Sequence, residues 1–271
     1  MATYVRRPAV AGTFYPGKPD VLLHKVQEYS VPSGPNLDAI GCVAPHAGYM
    51  YSGHVAGAVY GRLKLPDRFI ILCPNHTGYG APLAIESEGR WITPLGDANI
   101  DTELASALKQ ADAELEEDHA SQIREHATEV QLPFIQARKQ KFTFVPITVG
   151  TGKFDSLHAL GEAIGRVIAT VKEQVMIVAS SDMNHYEPDK VTRIKDHKAI
   201  EKILALDERG LFDVINTERI SMCGFGPAIA MITAAKALGA TKAELIRYAT
   251  SGDVSGDFDE VVGYAGIAVL R

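Results

Sequence analysis

The sequence predicts one α/β domain over residues 1–271, with a largely parallel or mixed sheet flanked by helices. Short runs of consecutive apolar residues, typical of strands buried on both faces, alternate with longer segments in which apolar residues recur at helical spacing. The chain has 271 residues, of which 46% are hydrophobic and 22% charged, so it can bury a large core. Alternation of strands and helices favours a sheet whose central neighbours are parallel.

Taken in chain order, five apolar runs are predicted strands, and a loop follows each of the first four. These runs are residues 39–44, 68–73, 142–149, 175–179 and 261–270. Five segments are predicted helices from their apolar spacing. They are the stripe of Val55, Ala58, Val59 and Leu63, the stripe of Leu104, Leu108, Ala111 and Leu115, residues 157–171, the segment with Val191, Ile194, Ile200 and Leu204, and residues 226–238, which are rich in small side chains.

Charge and cysteine content exclude several classes of function. The chain carries 33 acidic and 27 basic residues, so a basic surface for nucleic acid or anionic membrane is not expected, and the expected partner is a small-molecule substrate or ligand. The longest apolar runs are far shorter than the roughly 20 residues that span a bilayer.

Cys42, Cys73 and Cys223 form no CxxC pair, and residues 1–8 lack the apolar stretch of a signal peptide, so a reducing, cytoplasmic location is expected.

Histidines follow three of the predicted strands directly. His46 and His76 come just after the first two strands, and His185 lies three residues beyond Asp182, after the fourth. Ligands of open α/β sheets bind beyond the carboxyl ends of the strands, so these side chains are expected to meet at one edge. Imidazole is the commonest metal ligand and also titrates near neutral pH. The pattern therefore indicates a metal site or an acid–base site.

Two further segments carry carboxylates beside histidines. On a helical turn Asp182 and His185 would share one face, either as two metal ligands or as an imidazole oriented by a carboxylate. Residues 124–129 have helical character, which would place Glu125 and Glu129 on one face and turn His126 away. This second segment is either a solvated acidic helix start or an acid–base His126 supported by the glutamates.

One cysteine differs from the other two in its surroundings. Cys42 and Cys73 lie inside predicted strands and are interpreted as small core residues. Cys223 lies in a glycine-rich loop before a predicted helix, where backbone amides would favour a thiolate, so it is a candidate nucleophile or metal ligand. No role is assigned to the remaining histidines, His24, His54, His119, His158 and His197, although His54 is close enough to His46 in the sequence to be an alternative.

Six motifs occur here in the order in which they occur in the Memo family, named for the animal mediator of receptor-driven cell motility. They are PHAGYMYSGHVAG (45–57), ILCPNHTG (71–78), EHATEVQLPF (125–134), SSDMNHY (180–186), MCGFGP (222–227) and YATSGDVSG (248–256). AVAGTFYPG (9–17) and VVGYAGIAV (261–269) extend the match towards both ends. The sequence therefore resembles this family along its whole length.

The resemblance implies a fold similar to that of the class III extradiol dioxygenases, in which two histidines and a carboxylate hold non-haem iron(II). In Memo proteins a cysteine takes the place of the carboxylate, and the animal member is associated with iron or copper and with redox chemistry. Carried over by motif, the implied metal ligands are His46, His76 and Cys223. The implied neighbours in the same pocket are Asp182, His185 and His126. The donor set suits iron or copper, and zinc is also compatible with it.

Three functional hypotheses follow, and they leave both an enzyme and a non-catalytic protein open. The first is a metal-dependent oxidoreductase in which His126 and His185 move protons and Asp182 orients one of them. Ring cleavage is the least favoured form of this hypothesis, because a cysteine replaces the carboxylate ligand of the dioxygenases. The second is a non-catalytic protein whose inherited pocket binds a metal, a small ligand or a phosphorylated peptide. The third is a hydrolase with Cys223 as nucleophile and His185 as base.

Overall fold

A computed structural model describes residues 4–271, which form twelve strands and nine α-helices. The strands are β1 (Val5–Arg6), β2 (Ala39–Ala44), β3 (Arg68–Pro74), β4 (Leu83–Ile85), β5 (Arg90–Thr93), β6 (Gly96–Ile100), β7 (Glu116–Glu117), β8 (Thr143–Val149), β9 (Val175–Ser180), β10 (His185–Glu187), β11 (Lys242–Thr250) and β12 (Val261–Leu270). The helices are α1 (Pro19–Tyr29), α2 (Tyr49–Arg62), α3 (Thr102–Ala111), α4 (Leu132–Gln136), α5 (Phe154–Thr170), α6 (Asp189–Leu204), α7 (Glu208–Thr217), α8 (Phe225–Ala237) and α9 (Gly252–Ser255). Residues 1–3, part of the segment considered for a signal peptide, lie outside the described residues.

The strands form one mixed sheet in the order β1-β5-β6-β8-β3-β9-β2-β12-β10, with β11 along β12, β4 beside β8 and β7 beside β4. The central neighbours β8, β3, β9 and β2 are parallel, whereas β12 runs antiparallel to β2. Ala44 at the end of β2 lies opposite Ser180 at the end of β9. The carboxyl ends of the parallel strands therefore meet at one edge, as the sequence predicts.

Both faces of this sheet are buried under helices. Because successive side chains of a strand point to opposite sides, each central strand contributes to both clusters. In β3, Phe69 and Ile71 pack into the cluster that includes α1 and α2, while Ile70 and Leu72 pack into the cluster that includes α5 and α8. A Cβ at Gly161 of α5 would lie 2.6 Å from a backbone oxygen of α8, so small residues permit this close helix packing.

The five predicted strands and five predicted helices are all present, with boundaries shifted by a few residues. Leu115 is an exception, since it is buried but lies beyond the end of α3. The predicted helical segment at 124–129 is wrong: residues 124–126 are irregular, residues 127–128 form a turn, and only a short 3₁₀ helix follows at Glu129–Gln131. The strands β1, β4–β7, β10 and β11 and the helices α4, α7 and α9 are not among the predicted elements. Within residues 4–271, no helix has the length and apolar character needed to cross a membrane.

Candidate metal centre

Four loops or turns converge at the carboxyl edge of the parallel strands. His46 lies two residues beyond β2, His76 two beyond β3, and Asp182 two beyond β9. Cys223 comes from the turn before α8. Its Sγ lies 3.2 Å from Nε2 of His46, and Oδ2 of Asp182 lies 4.0 Å from the same nitrogen. The convergence predicted from strand-end histidines is therefore present, and it includes the cysteine.

His46, His76 and Cys223 each present one ligand atom, and the three atoms lie within 4.8 Å of one another. Metal–nitrogen bonds of about 2.0–2.1 Å and metal–sulfur bonds of about 2.3 Å place tetrahedral N and S ligands about 3.5 Å apart. The 3.2 Å separation between His46 Nε2 and Cys223 Sγ is a few tenths of an ångström shorter. The separation of His46 and Cys223 therefore fits a shared metal ion, and His76 lies near enough to complete the donor set.

The hydrogen bonds of His46 fix its tautomer. The Ser180 hydroxyl donates to the carbonyl of Ala127 at 2.7 Å, so its oxygen is left to accept from Nδ1–H of His46 at 3.0 Å. The Gln131 side-chain amide also donates to this hydroxyl oxygen, at 2.8 Å. Nε2 of His46 consequently keeps its lone pair, and it is the nitrogen that faces Cys223. Burial, and then the charge of His76, hold the pKa of His46 well below its usual value, which keeps the ring neutral.

His76 is held by Glu125 through two hydrogen bonds. Its backbone N–H and its Nδ1 donate to the two carboxylate oxygens at 2.7 and 2.9 Å. Burial alone would raise the pKa of Glu125, but the bond from His76 and other donors outweigh burial and lower it to about 2. For His76, burial lowers the pKa, but the hydrogen bond and charge of the Glu125 carboxylate outweigh burial. The pKa of His76 is therefore raised. A carboxylate on Nδ1 orients the ring with Nε2 free, the usual support of a metal-bound histidine.

The two glutamates of the 124–129 segment are therefore not a solvated acidic face, because both are fully buried. Glu129 is directed away from the metal ligands. Its carboxylate lies 2.6 Å from the guanidinium of Arg6 and also accepts from the Tyr15 hydroxyl at 2.6 Å. Of the two supporting glutamates proposed from the sequence, only Glu125 contacts the candidate centre.

His126 lies within the pocket beside both ligand histidines. Its ring stacks on His76 with centroids 4.7 Å apart, and its centroid lies 5.4 Å from that of His46. Burial, and then the charge of His46, lower the pKa of His126 to about 4, so the ring is neutral at neutral pH. His76, Glu125 and His126 form a second group of closely spaced ligand atoms, but the Glu125 oxygens already accept four N–H groups. This second group is interpreted as a support rather than a second metal site.

Asp182 and His185 do not share a helical face, because residues 181–184 are irregular and His185 begins β10. Asp182 accepts from the backbone N–H groups of His46 and Ala47 at 2.8 and 3.3 Å, and burial raises its pKa. His185 Nδ1 lies 3.0 Å from the carbonyl of Ser221, which can only accept, so Nδ1 is the donor in this hydrogen bond. This half-exposed ring lies three residues beyond Asp182 and is hydrogen-bonded to Ser221, two residues before Cys223, so it belongs to the rim of the same pocket.

Cys223 is a half-buried thiol and not an activated nucleophile. Burial, followed by the charge of Asp182, raises its pKa, although the backbone N–H of Asp182 donates to Sγ at 3.3 Å. The helix-start amides therefore do not produce a thiolate on their own, whereas a coordinated cation would. Among residues 4–271 no hydrogen bond joins Cys223 to His185, so the nucleophile–base pair of the hydrolase hypothesis is not assembled.

Two residues that support the site, Ser180 and Gln131, are not among the residues predicted from the sequence. Ser180 is the last residue of a buried strand, where the apolar run gives way to the hydroxyls of Ser180 and Ser181. That change from apolar to polar character, and its place in the motif at 180–186, are the signals for Ser180. Gln131 has only its place in the motif at 125–134, because its partners at Ala44, Pro45 and Ser180 are distant in the sequence.

Comparison with known proteins agrees with these motifs. The family model described as Memo-like protein matches residues 6–268. The chain belongs to the Memo family. MEMO1 family proteins of Methanopyrus kandleri and Pyrobaculum aerophilum are 43% and 45% identical to it, and each alignment covers 98% of this chain and 99% of the relative. A MEMO1 family protein of Methanosarcina barkeri is 42% identical, over 98% of this chain and all of the relative.

A solved structure supports the fold of this Memo protein independently of close sequence similarity. An uncharacterized protein from Escherichia coli K12 superposes with a TM-score of 0.57 and 12% sequence identity, covering 84% of this chain and 98% of that chain. At this identity the match shows a shared α/β architecture and nothing about activity.

Proposed function

We propose that this Memo-family chain binds a redox-active iron or copper ion through His46, His76 and Cys223 and performs oxidoreductase-like chemistry on a small-molecule substrate. The observation that carries this proposal is the cluster of three ligand atoms within 4.8 Å of one another. In both histidines Nδ1 is already engaged, by Ser180 and by Glu125, so Nε2 remains for a metal.

The donor set supports the choice of metal. Two imidazoles and one thiolate are compatible with iron, copper(I) or zinc, and thiolate ligation favours the softer ions. Three protein ligands leave at least one coordination position open, as in catalytic sites. A bound iron or copper ion would supply electron transfer and a binding position for water, dioxygen or substrate.

The surrounding side chains support proton movement beside that position. His126 is neutral at physiological pH because its pKa is about 4, and its ring borders both ligand histidines. His185 lies at the rim of the pocket with its Nδ1 engaged by the Ser221 carbonyl, which leaves Nε2 for proton transfer. Asp182 anchors the backbone of His46 and faces the ligand nitrogen. We assign His126 and His185 to proton transfer and Asp182 to orientation.

Anaerobic purification followed by elemental analysis tests the proposal. Wild-type protein should carry iron or copper, whereas His46→Ala and Cys223→Ala should each lose it. His24→Ala is the matched control, because that histidine is exposed on α1, and it should retain the metal. Full occupancy in both ligand variants would overturn the proposed site. A bound metal without dioxygen consumption or substrate oxidation in a broad screen would make the protein a non-catalytic binder instead.

A further inference from the structure

The ligand Cys223 and the pocket residues Asp182 and His185 lie on two segments without regular pairing to each other. Residues 181–184 are irregular, and Ser221 and Met222 precede the turn at Cys223 without forming a strand or helix. No ladder of backbone hydrogen bonds therefore sets the distance between the two segments. Individual hydrogen bonds must therefore hold Cys223 at its 3.2 Å separation from His46. Beside Cys223 itself, the Asp182 backbone N–H donates to Sγ and the Gly224 backbone N–H donates to the Ser181 hydroxyl.

Asn184 supplies the central part of this connection. It is fully buried, and its side-chain oxygen accepts from both the backbone N–H and the hydroxyl of Ser221, at 3.0 and 3.1 Å. Ser221 in turn accepts from the backbone N–H of His185 at 2.8 Å, and its carbonyl accepts from Nδ1 of the same histidine. One amide oxygen thus fixes the residue that orients His185 and lies two positions before Cys223.

The rest of Asn184 is fixed from the opposite side. Its side-chain N–H₂ donates to Glu187 at 2.6 Å, and its backbone N–H donates to Asp196 of α6 at 2.8 Å. Its carbonyl accepts from Gly263 of β12 at 2.9 Å. Because donors and acceptors are engaged on every side, the amide cannot flip or turn without leaving a buried polar group unpaired.

We infer that Asn184 is a positioning residue of the metal centre, which holds the Cys223 loop and the His185 ring in one arrangement through Ser221. The inference rests on the proposed metal site, because it concerns how that site acquires its sulfur ligand. Substitutions in the shell that supports metal ligands typically reduce affinity about 10- to 100-fold. Asn184 should therefore affect metal binding although it contacts none of the three ligands.

Cobalt(II) is a suitable probe, because its bond to a thiolate produces a charge-transfer absorption that reports sulfur ligation directly. Wild-type apoprotein titrated with Co²⁺ should show this band, and Cys223→Ala should lack it. Asn184→Ala should bind Co²⁺ about 10- to 100-fold more weakly. Its thiolate charge-transfer band should also be weaker relative to the visible d–d absorption of the bound Co²⁺. Ser221→Ala removes a single hydroxyl and should show the same changes to a smaller extent. If Asn184→Ala does not fold, Ser221→Ala takes its place as the test variant.

Leu104→Ala is the control for simple loss of stability, because this buried residue belongs to α3 and touches neither loop. It should keep the wild-type thiolate band. A second readout needs no metal: NMR of the apoprotein should show His185 protonated on Nδ1 in the wild type and as a mixture of tautomers in Asn184→Ala.

The possible outcomes separate the two proposals. If wild-type protein shows no thiolate band, the metal site itself is wrong. If the wild type shows the band while Asn184→Ala and Ser221→Ala keep wild-type affinity, band intensity and tautomer, the role of Asn184 is refuted and the metal site stands.

Discussion

The ion pair between Arg6 and Glu129 should contribute strongly to stability, and Glu129→Gln tests this with almost no change of shape. Both side chains are buried, at 2% and 0% exposure. The carboxylate accepts from four donors: the Arg6 guanidinium, the backbone N–H groups of Ala9 and Val10, and the Tyr15 hydroxyl. Glutamine has one side-chain oxygen and no charge, so it leaves Arg6 buried without a counter-ion and some donors unpaired.

Loss of one partner of a buried ion pair costs about 3–5 kcal/mol, and we expect Glu129→Gln to lower the free energy of unfolding by that amount. Urea denaturation followed by circular dichroism measures it, provided that the m-value is unchanged. The control is Glu28→Gln, whose partner Lys25 and whose own carboxylate are exposed, and which should change stability by less than about 1 kcal/mol.

The double variant Arg6→Met/Glu129→Gln separates the cost of the unpaired Arg6 charge from the cost of altered packing. Removal of the guanidinium eliminates the uncompensated charge, so the double variant should be less destabilised than the sum of the two single variants. A loss below about 1 kcal/mol in Glu129→Gln, or strict additivity in the double variant, would refute the reasoning.

Three further substitutions probe the site and its surroundings. Glu125→Gln should weaken metal binding about 10- to 100-fold in a competition titration, because Nδ1 of His76 loses its carboxylate, and unchanged affinity would contradict this. Burial raises the pKa of Asp196 to about 7, so the unfolded chain loses this proton at lower pH than the folded chain does, and the contribution of this group to stability should fall between about pH 4 and pH 7. Asp196→Asn removes that contribution, so its stability relative to wild type should rise across this range in urea denaturations at several pH values, and a constant difference would argue against it. Gly224→Ala would bring a Cβ to 2.4 Å from the backbone oxygen of Ser180 and should weaken metal binding, whereas Gly152→Ala, with no atom nearer than 3.7 Å, should not.

The sequence predicts the centre of the fold well, because buried parallel strands are encoded locally. Residues 39–44 and 261–270 form strands with the predicted boundaries, and the strand ends deliver His46 and His76 to one edge. The short strand β6 has the sequence GDANI, which carries little apolar character, and its conformation depends on pairing with β5 and β8. Such elements depend on neighbours that local periodicity does not reveal.

The candidate ligands could be named from strand-end positions and motif resemblance, but the supports of the site could not. Glu129 has the spacing of a solvated helix residue, and its burial is decided by Arg6, 123 residues away. The raised pKa of Cys223 likewise depends on burial and on Asp182 of a different loop. These properties arise when distant segments meet, so no local pattern carries them.

The engagement of Nδ1 in His46 and His76 has a consequence for the thermodynamics of metal uptake. Each ring is held by a hydrogen bond before any ion arrives, so binding does not have to immobilise these side chains. Immobilising a free side chain costs about 0.5–1.5 kcal/mol, and the two rings together therefore spare about 1–3 kcal/mol of conformational entropy. This entropy is lost during folding, so the geometry of the two histidines does not depend on a bound ion.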